Sequence, residues 1–477
     1  MRALPIIIAA SFFITTNAYA TQTITQANLL DVYQLAVENN SDLAAAHAAY
    51  RARAENIPLA RAALLPQLGA GAGTNHSRTS VDTRQLGEQT SKRNSYSYQA
   101  TLSQPLFRLD SWYQLKAAQA DSEQAALELS ATEQSIILQS AEAYFAVLRT
   151  QDNLAASRAE EDAFKRQYDL ASERFNVGLS DKTDVLQAQA AYDAARANRL
   201  VAENQVQDAF QALSTLTNQT FNALEGVRHS LPVLPPQPND ANAWVNKATA
   251  ENLQLQAMDF AVTAAENDLR KRKSGHAPTI DAIAQHQKGD NDSLGFINRG
   301  MPGTPTYHRH AEQTVIGLQL TIPLYSGGAT SASVRQGVQQ RNQIEYLKES
   351  MHRQIIQDAR NLHRAVNTDI QQVQARKQTI ISSQSAVEAT EIGYEVGTRT
   401  IVDVLDAQRQ LFAAVRNYNN ARYDYILNNL RLQQVAGSLS PNNLQALSPY
   451  LNPAYDPDKD FLPPDLDAEI EANLRRR

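Results

Sequence analysis

The stretches "NVGLSDKTDVLQAQ" (Asn176–Gln189) and "EVGTRTIVDVLDAQ" (Glu395–Gln408) are one pattern written twice. Val177 and Asp184 of the first recur 219 residues later as Val396 and Asp403 of the second. Upstream, "LSQPLF" (Leu102–Phe107) recurs as "LTIPLY" (Leu320–Tyr325), at an offset of 218. Further upstream, "LLPQLGAGAG" recurs loosely as "HAPTIDAIAQ", with Pro66 matching Pro278. Three landmarks in the same order at nearly constant spacing mark a tandem duplication.

Each half follows one plan. A helical segment (about 26–65, then 241–273) ends at a proline, and two strands separated by a polar loop (74–94, then 286–313) follow. A very long helix (about 111–175, then 331–394), the quoted turn and a shorter returning helix (about 183–216, then 401–436) complete the unit. About 65 residues at 1.5 Å each give a helix of roughly 100 Å, longer than any globular core requires. Ile137, Ala141, Tyr144 and Leu148 step by four, three and four, the spacing of a coiled-coil seam. The surrounding Gln, Asn, Glu and Arg leave another face wet, which suits helices packed side by side around water.

The strands alternate with period two. Tyr96, Tyr98, Ala100 and Leu102 point one way and Ser97, Gln99, Thr101 and Ser103 the other; Ile316, Leu318, Leu320 and Ile322 alternate likewise. One greasy and one polar face suit either a water-soluble sandwich or a membrane barrel with lipid outside. Four strands are too few to close a barrel, which needs about eight, so a barrel must be shared between chains.

Composition narrows the class. The 477 residues carry a net charge of −6, without the basic excess of a nucleic-acid binder. Mean hydropathy is negative, against a bundle of transmembrane helices. No cysteine is present, which removes disulfides, thiolate metal sites, thiol nucleophiles and a lipobox. "MRALPIIIAASFFITTNAYA" has an early Arg2, a short apolar run and an Ala18-Tyr19-Ala20 end, the pattern of a secretory signal peptide over residues 1–20. The expected organisation is then a first repeat over 21–218, a proline-rich linker over 219–240, a second repeat over 241–437 and a tail over 438–477. The proline- and acid-rich part of that tail is expected to lie along the outside or to be partly disordered.

The duplicated plan, "RFNVGLSDKTDV", "VGTRTIVDVLDA", "ARYDYILNNL" and the "QPLF"/"IPLY" strand ends resemble the TolC family of outer-membrane efflux proteins, closest to its enterobacterial type. The resemblance covers nearly all of the mature chain and is weakest in the loops and tail. It implies a mixed α and β membrane protein: a homotrimer in the outer membrane of a Gram-negative bacterium, with four strands per chain forming a twelve-strand barrel. The long helices would continue that barrel as a periplasmic α-helical tunnel. It implies a passive exit duct for efflux and type I secretion, served by a periplasmic adaptor and an inner-membrane pump or ABC exporter, and in contact with outer-membrane lipid. Pro66, Pro105, Pro278 and Pro323 fit joints where strand gives way to helix. The competing reading is a periplasmic coiled-coil structural or adaptor protein with a small soluble β domain.

The two halves serve as each other's control. Gly178 and Gly397 fit a C′ position, where a left-handed backbone favours glycine. Asp181 and Thr400 correspond as N-caps of the returning helices, with Asp184 and Asp403 at N3, where a carboxylate complements the helix dipole. Asp406 has no such role, since its counterpart is Gln187, and it repels Asp403 at i, i+3. Tyr394 stands opposite Phe175, and Arg399 opposite Ser180, so three polar additions arrive together in the second copy. The resemblance implies that Asp403 and Asp406 line a cation-favouring entrance. It also implies that Tyr394 and Arg399 close that entrance by bonding to Thr183 and Asp184, with Gln167 of a neighbouring coil nearby. Val177, Gly178 and Leu179, with Val396, Gly397 and Thr398, become contacts for the adaptor's hairpin tip.

No G-x-S-x-G, P-loop or H-E-x-x-H motif is present. The two histidines of "YHRH" (Tyr307–His310) read as surface residues of a polar loop rather than metal ligands. Asp403 and Asp406 lack the aromatic cleft of a carboxylate pair that cleaves glycosides. No enzyme, cofactor or metal site is expected.

Overall fold

The structure, a computed structural model, describes residues 23–24, 26–83, 87–290 and 310–463. The signal-peptide expectation lies outside these residues, as do positions 307–309 of the "YHRH" motif.

The chain starts with the short strand β1 (Thr23–Ile24), then α1 (Leu29–Asn39), α2 (Ser41–Ala54) and α3 (Asn56–Ala62). The single helical segment expected here is broken twice. At the first break Asn40 leaves the helical region and caps α2, its side chain accepting from Leu43 N. Apolar periodicity runs through such a break, because a cap changes the backbone of one residue only. Pro66 then precedes a hairpin of β2 (Gln67–Thr83) and β3 (Gly87–Phe107). The two strands pair from Gln67↔Ser103 to Thr83↔Gly87, through most of the stretch expected to be loop. Residues 74–94 are polar on both faces, so alternation gave no strand signal. Backbone pairing carries the hairpin onward, joined by cross-strand side-chain bonds between His76 and Asn94 and between Ser80 and Glu88.

Next come α4 (Leu109–Asn176, 68 residues), α5 (Lys182–Thr217), and the linker strands β4 (Thr220–Phe221) and β5 (Gly226–Val227). The second half repeats the order. α6 (Ala241–Glu251) and α7 (Leu253–Lys273) are divided at Asn252, which caps α7 as Asn40 caps α2. β6 (Thr279–Asp290), β7 (His310–Thr321), α8 (Ala329–Glu395, 67 residues) and α9 (Ile401–Val435) follow. Of the second expected loop, the two ends are strand and the middle lies outside the described residues.

The four long strands form one antiparallel sheet, ordered β2-β3-β6-β7, so each repeat contributes a hairpin. Its register sets Leu68, Leu102, Ala284 and Ile316 in one row, with Ala282 and Leu318 in the next. Ile316 and Leu318 are 81% and 73% exposed, an uncovered apolar face. The opposite face carries Thr101 with Gln285, and Gln99 with Gln287 and Gln313. Both edge strands, β2 and β7, lack an outer partner among the described residues. No helix of the described residues is long and apolar enough to cross a membrane.

At the base of the sheet, Pro105 coincides with a register shift between β3 and β6. There Arg108, the residue before α4, reaches Asp281 on β6 with two hydrogen bonds of 3.0 and 2.8 Å. This fork ties the strand-to-helix joint of one repeat to a strand of the other. Ile137, Ala141, Tyr144 and Leu148 are all buried, as the seam spacing predicts. They belong to the largest core cluster, with Trp244, Val366, Tyr423 and Leu432, where α4, α6, α8 and α9 meet midway along the helices.

The described part of the tail takes the first of its two expected courses, along the outside of the helices. α10 (Pro441–Gln445), β8 (Leu451–Asn452) and α11 (Pro457–Asp460) wrap this middle region, and β8 pairs with β5 of the linker. Leu451 and Phe461 are buried, so the composition that suggested a loose segment conceals two apolar anchors.

Candidate functional site

The two turns of the repeat lie together at the end of the helices away from the sheet. One cluster holds Phe164 and Ala171 of α4, Ala188, Ala191 and Ala195 of α5, Tyr394 of α8, and Ile401, Val404 and Leu405 of α9. Each long helix ends the same way. The amide of Gly178 bonds the carbonyl of Phe175 at 2.9 Å and that of Leu179 bonds Arg174 at 2.7 Å. Gly397 and Thr398 repeat this onto Tyr394 and Gly393 at 3.1 and 2.8 Å. With φ of 76° and 81°, the two glycines take the left-handed conformation this closure requires. Val177, Leu179 and Val396 extend beyond the cluster and are 69%, 71% and 68% exposed.

The returning helices start differently. Thr400 and Asp403 form a reciprocal capping box: Asp403 N donates to Thr400 Oγ1 at 3.3 Å, and Thr400 N donates to Asp403 Oδ2 at 2.9 Å. The Thr400 amide and hydroxyl hold the Asp403 carboxyl below its usual range. Asp181 occupies the matching N-cap position, but its side chain makes no capping bond. The expected symmetry of the caps therefore stops at the backbone. A hydroxyl can donate to the N3 carboxylate as well as accept from its amide, whereas Asp181 opposite Asp184 would place two carboxylates together.

Asp406 does not reach the cap. Its Oδ1 accepts from Arg409 Nη1 at 2.6 Å, with both side chains about half exposed. The Arg409 guanidinium also sits 6.0 Å from the ring centroid of Phe164 on α4. Two residues on from Asp406, Gln408 donates to Glu391 of α8 at 2.8 Å.

Tyr394 is 8% exposed and its hydroxyl has no hydrogen-bond partner. The Arg174 guanidinium lies 4.8 Å from its ring centroid, stacked on the ring face. Burial pushes the hydroxyl's pKa up against the lowering pull of the Arg174 charge, and the Asp184 carboxylate adds to the rise. Arg399 folds its stem against Gly393, where an added Cβ would meet Arg399 Cγ at 2.7 Å, and its head is exposed. Within the protomer, among the described residues, neither Tyr394 nor Arg399 hydrogen-bonds to Thr183 or Asp184. Thr183 is exposed; Asp184 and Gln167 are half-buried. Two neighbours escaped the sequence reading. Arg174 lies just before the "FNVG" turn, and Arg409 lies three residues after Asp406, a spacing that by itself predicts a helical ion pair.

A second polar cluster, also unread from sequence, lies under the tail. Asp152 is buried and accepts from the hydroxyls of Tyr423, at 2.8 Å, and Tyr455. Burial raises its pKa to about 6 despite these donors and the nearby Arg422. His229 stacks on Tyr418 and bonds the carbonyl of Asp460 at 2.8 Å; burial lowers its pKa to about 4, with Arg422 adding to the fall.

Comparisons with known proteins point to one family. The outer membrane efflux protein family matches the chain twice, over residues 32–219 and 244–438. The chain is 36% identical to the outer membrane protein TolC of Vibrio cholerae over 417 residues, covering 87% of this chain and 92% of that protein. It is 34% identical to TolC of Escherichia coli, covering 88% and 84%. It is 28% identical to the alkaline protease secretion protein AprF of Pseudomonas aeruginosa, covering 88% and 86%. Among solved structures, the Campylobacter jejuni CmeC outer membrane channel superposes with a TM-score of 0.72 at 17% identity, covering 94% of this chain and 90% of that one.

Proposed function

The chain belongs to the outer membrane efflux protein family and is an outer-membrane exit duct; we propose that it works as a trimer gated at its paired helical turns. The observation that carries this reading is the sheet itself: four strands, two open edges, one exposed apolar face and one polar face. Three such sheets joined edge to edge give about twelve strands, enough to close a barrel with lipid outside and water within. Closure removes the edges that a lone four-stranded sheet leaves unpaired. The helices continue from the strand ends through the periplasm, and the turns form the far entrance.

Asp403 and Asp406 then face the axis as carboxylate rings that favour cations. Tyr394 and Arg399, with Thr183, Asp184 and Gln167, form the latch; the exposed Arg399 head is a group that a neighbouring coil can engage, and Tyr394 is packed inside the turn against Arg174. Val177, Gly178 and Leu179, with Val396, Gly397 and Thr398, offer the adaptor an apolar tip. The duct has no energy source of its own and takes cargo from an inner-membrane pump or exporter, small molecules and secreted proteins alike. The adaptor-protein alternative gives no account of an apolar sheet face left in the open.

Outer-membrane fractionation and planar bilayer recording test the reading. Heat-resistant trimers in the outer-membrane fraction that conduct ions support it, and a soluble periplasmic monomer overturns it.

A further inference from the structure

We propose that Arg409 is a built-in counter-cation that cancels the Asp406 charge at the entrance and so lets anionic cargo approach. The inference rests on the reading of the turns as a duct entrance. Three observations lead to it. The Asp406 carboxylate is already paired, its Oδ1 2.6 Å from Arg409 Nη1. Arg409 is steadied from a second element, its guanidinium 6.0 Å from the ring of the buried Phe164. Both members of the pair are additions of the second repeat, for Asp406 stands opposite Gln187 and Arg409 opposite Ala190.

An exposed i, i+3 pair of this kind adds little stability. Its consequence is electrostatic. A lone carboxylate acts on an approaching ion as a full charge, felt across a Debye length of about 8 Å. A carboxylate with a guanidinium in contact acts as a dipole, whose field fades over a few ångströms. Asp403 has no guanidinium in contact; its carboxylate is held by the neutral Thr400, and Arg399 acts on it only through space, without an ion pair. The entrance therefore presents one effective acid per protomer where the sequence shows two. Multivalent cations bind it less tightly than a bare pair of acids, and solutes or polypeptides carrying carboxylates or phosphates meet less repulsion.

The test uses the full-length duct in planar bilayers, with trivalent hexaamminecobalt as blocker and the reversal potential in a KCl gradient as a second readout. Arg409→Ala, which restores the first repeat's residue, is expected to tighten block about tenfold and to shift selectivity toward cations. Arg409→Lys keeps the charge and is expected to behave as wild type. Arg409→Ala combined with Asp406→Asn is expected to return to wild-type block. If Arg409→Ala leaves block and reversal potential unchanged while Asp403→Ala with Asp406→Ala abolishes block, the counter-cation role is overturned and the acidic entrance stands. If the double alanine variant blocks as wild type does, the entrance reading fails and takes this inference with it. Heat-resistant trimers on gels confirm assembly of each variant.

Discussion

Tyr423 on α9 donates its hydroxyl to Asp152 on α4 at 2.8 Å, fastening the returning helix of the second repeat to the long helix of the first. Tyr455 of the tail bonds the other carboxylate oxygen, so three segments distant in sequence converge on one buried acid. The tail wraps the outside of the helices and sends Leu451 and Phe461 into the core beneath it.

This cluster sets two opposing pH dependences. Asp152 titrates near 6 in the folded chain, above its unfolded value near 4, so its contribution is full below about pH 4 and is lost as pH rises through 6. His229 titrates near 4, below its unfolded value near 6.5, so its contribution is full above about 6.5 and is lost as pH falls toward 4. Each displacement corresponds to about 3 kcal/mol, and the two nearly cancel between pH 4 and 6.5. Thermal unfolding of the detergent-solubilised protein is expected to depend only weakly on pH in that window. Asp152→Asn leaves His229 uncompensated and lowers the midpoint on acidification; His229→Gln does the reverse. Parallel profiles for both variants and wild type are incompatible with this account.

Gly226 is expected to tolerate no side chain. A Cβ there would run into the Tyr455 ring, and that ring is held in place by its bond to Asp152. Gly226→Ala should free the segment around β8 and α11, read as rapid protease cleavage after residue 450 while the helices stay intact. Protection equal to wild type would show that the ring can move aside.

The caps predict an asymmetry between the repeats. Thr400→Ala removes a side chain that accepts from Asp403 N, whereas Asp181→Ala removes one that makes no capping bond. Amide exchange in the first turn of α9 should speed up several-fold in the Thr400 variant, in line with the usual loss of a cap. The first turn of α5 should be unaffected by the Asp181 variant. Equal effects at both turns would mean that the caps are equivalent after all.

The latch makes a separate prediction. Tyr394→Phe with Arg399→Ser copies the first repeat's turn onto the second. The tyrosine hydroxyl is buried without a partner inside the protomer, so its loss costs the protomer no hydrogen bond. Raised single-channel conductance therefore reports contacts across the entrance and not a damaged fold. Conductance equal to wild type would remove the latch.

Legibility followed the physical signal. The duplication, the helix lengths and the glycine closures were readable because spacing and backbone conformation constrain residue type strongly at those points. The hairpin beyond Thr74 was unreadable, since strands that are polar on both faces show no alternation. The helix breaks at Asn40 and Asn252 were hidden by apolar periodicity that continues across them. Tyr455 and Phe461 were masked by the prolines and acids around them. Arg409 was visible at i+3 from Asp406, but only the contact shows that the second acid is not bare.

The acid pair itself divides by single substitution, because the two carboxylates do different work. Asp403 closes the capping box with Thr400, so Asp403→Ala should both weaken cation block and speed amide exchange at the start of α9. Asp406 bonds Arg409 and no first-turn amide, so Asp406→Ala should weaken block and leave that exchange unchanged. The double variant should lose most of the block by multivalent cations added on the periplasmic side. Block measured in bilayers and exchange measured by mass spectrometry must therefore move together in one variant and separately in the other. Exchange that rises equally in both would place Asp406 in the cap and undo its assignment to the lumen.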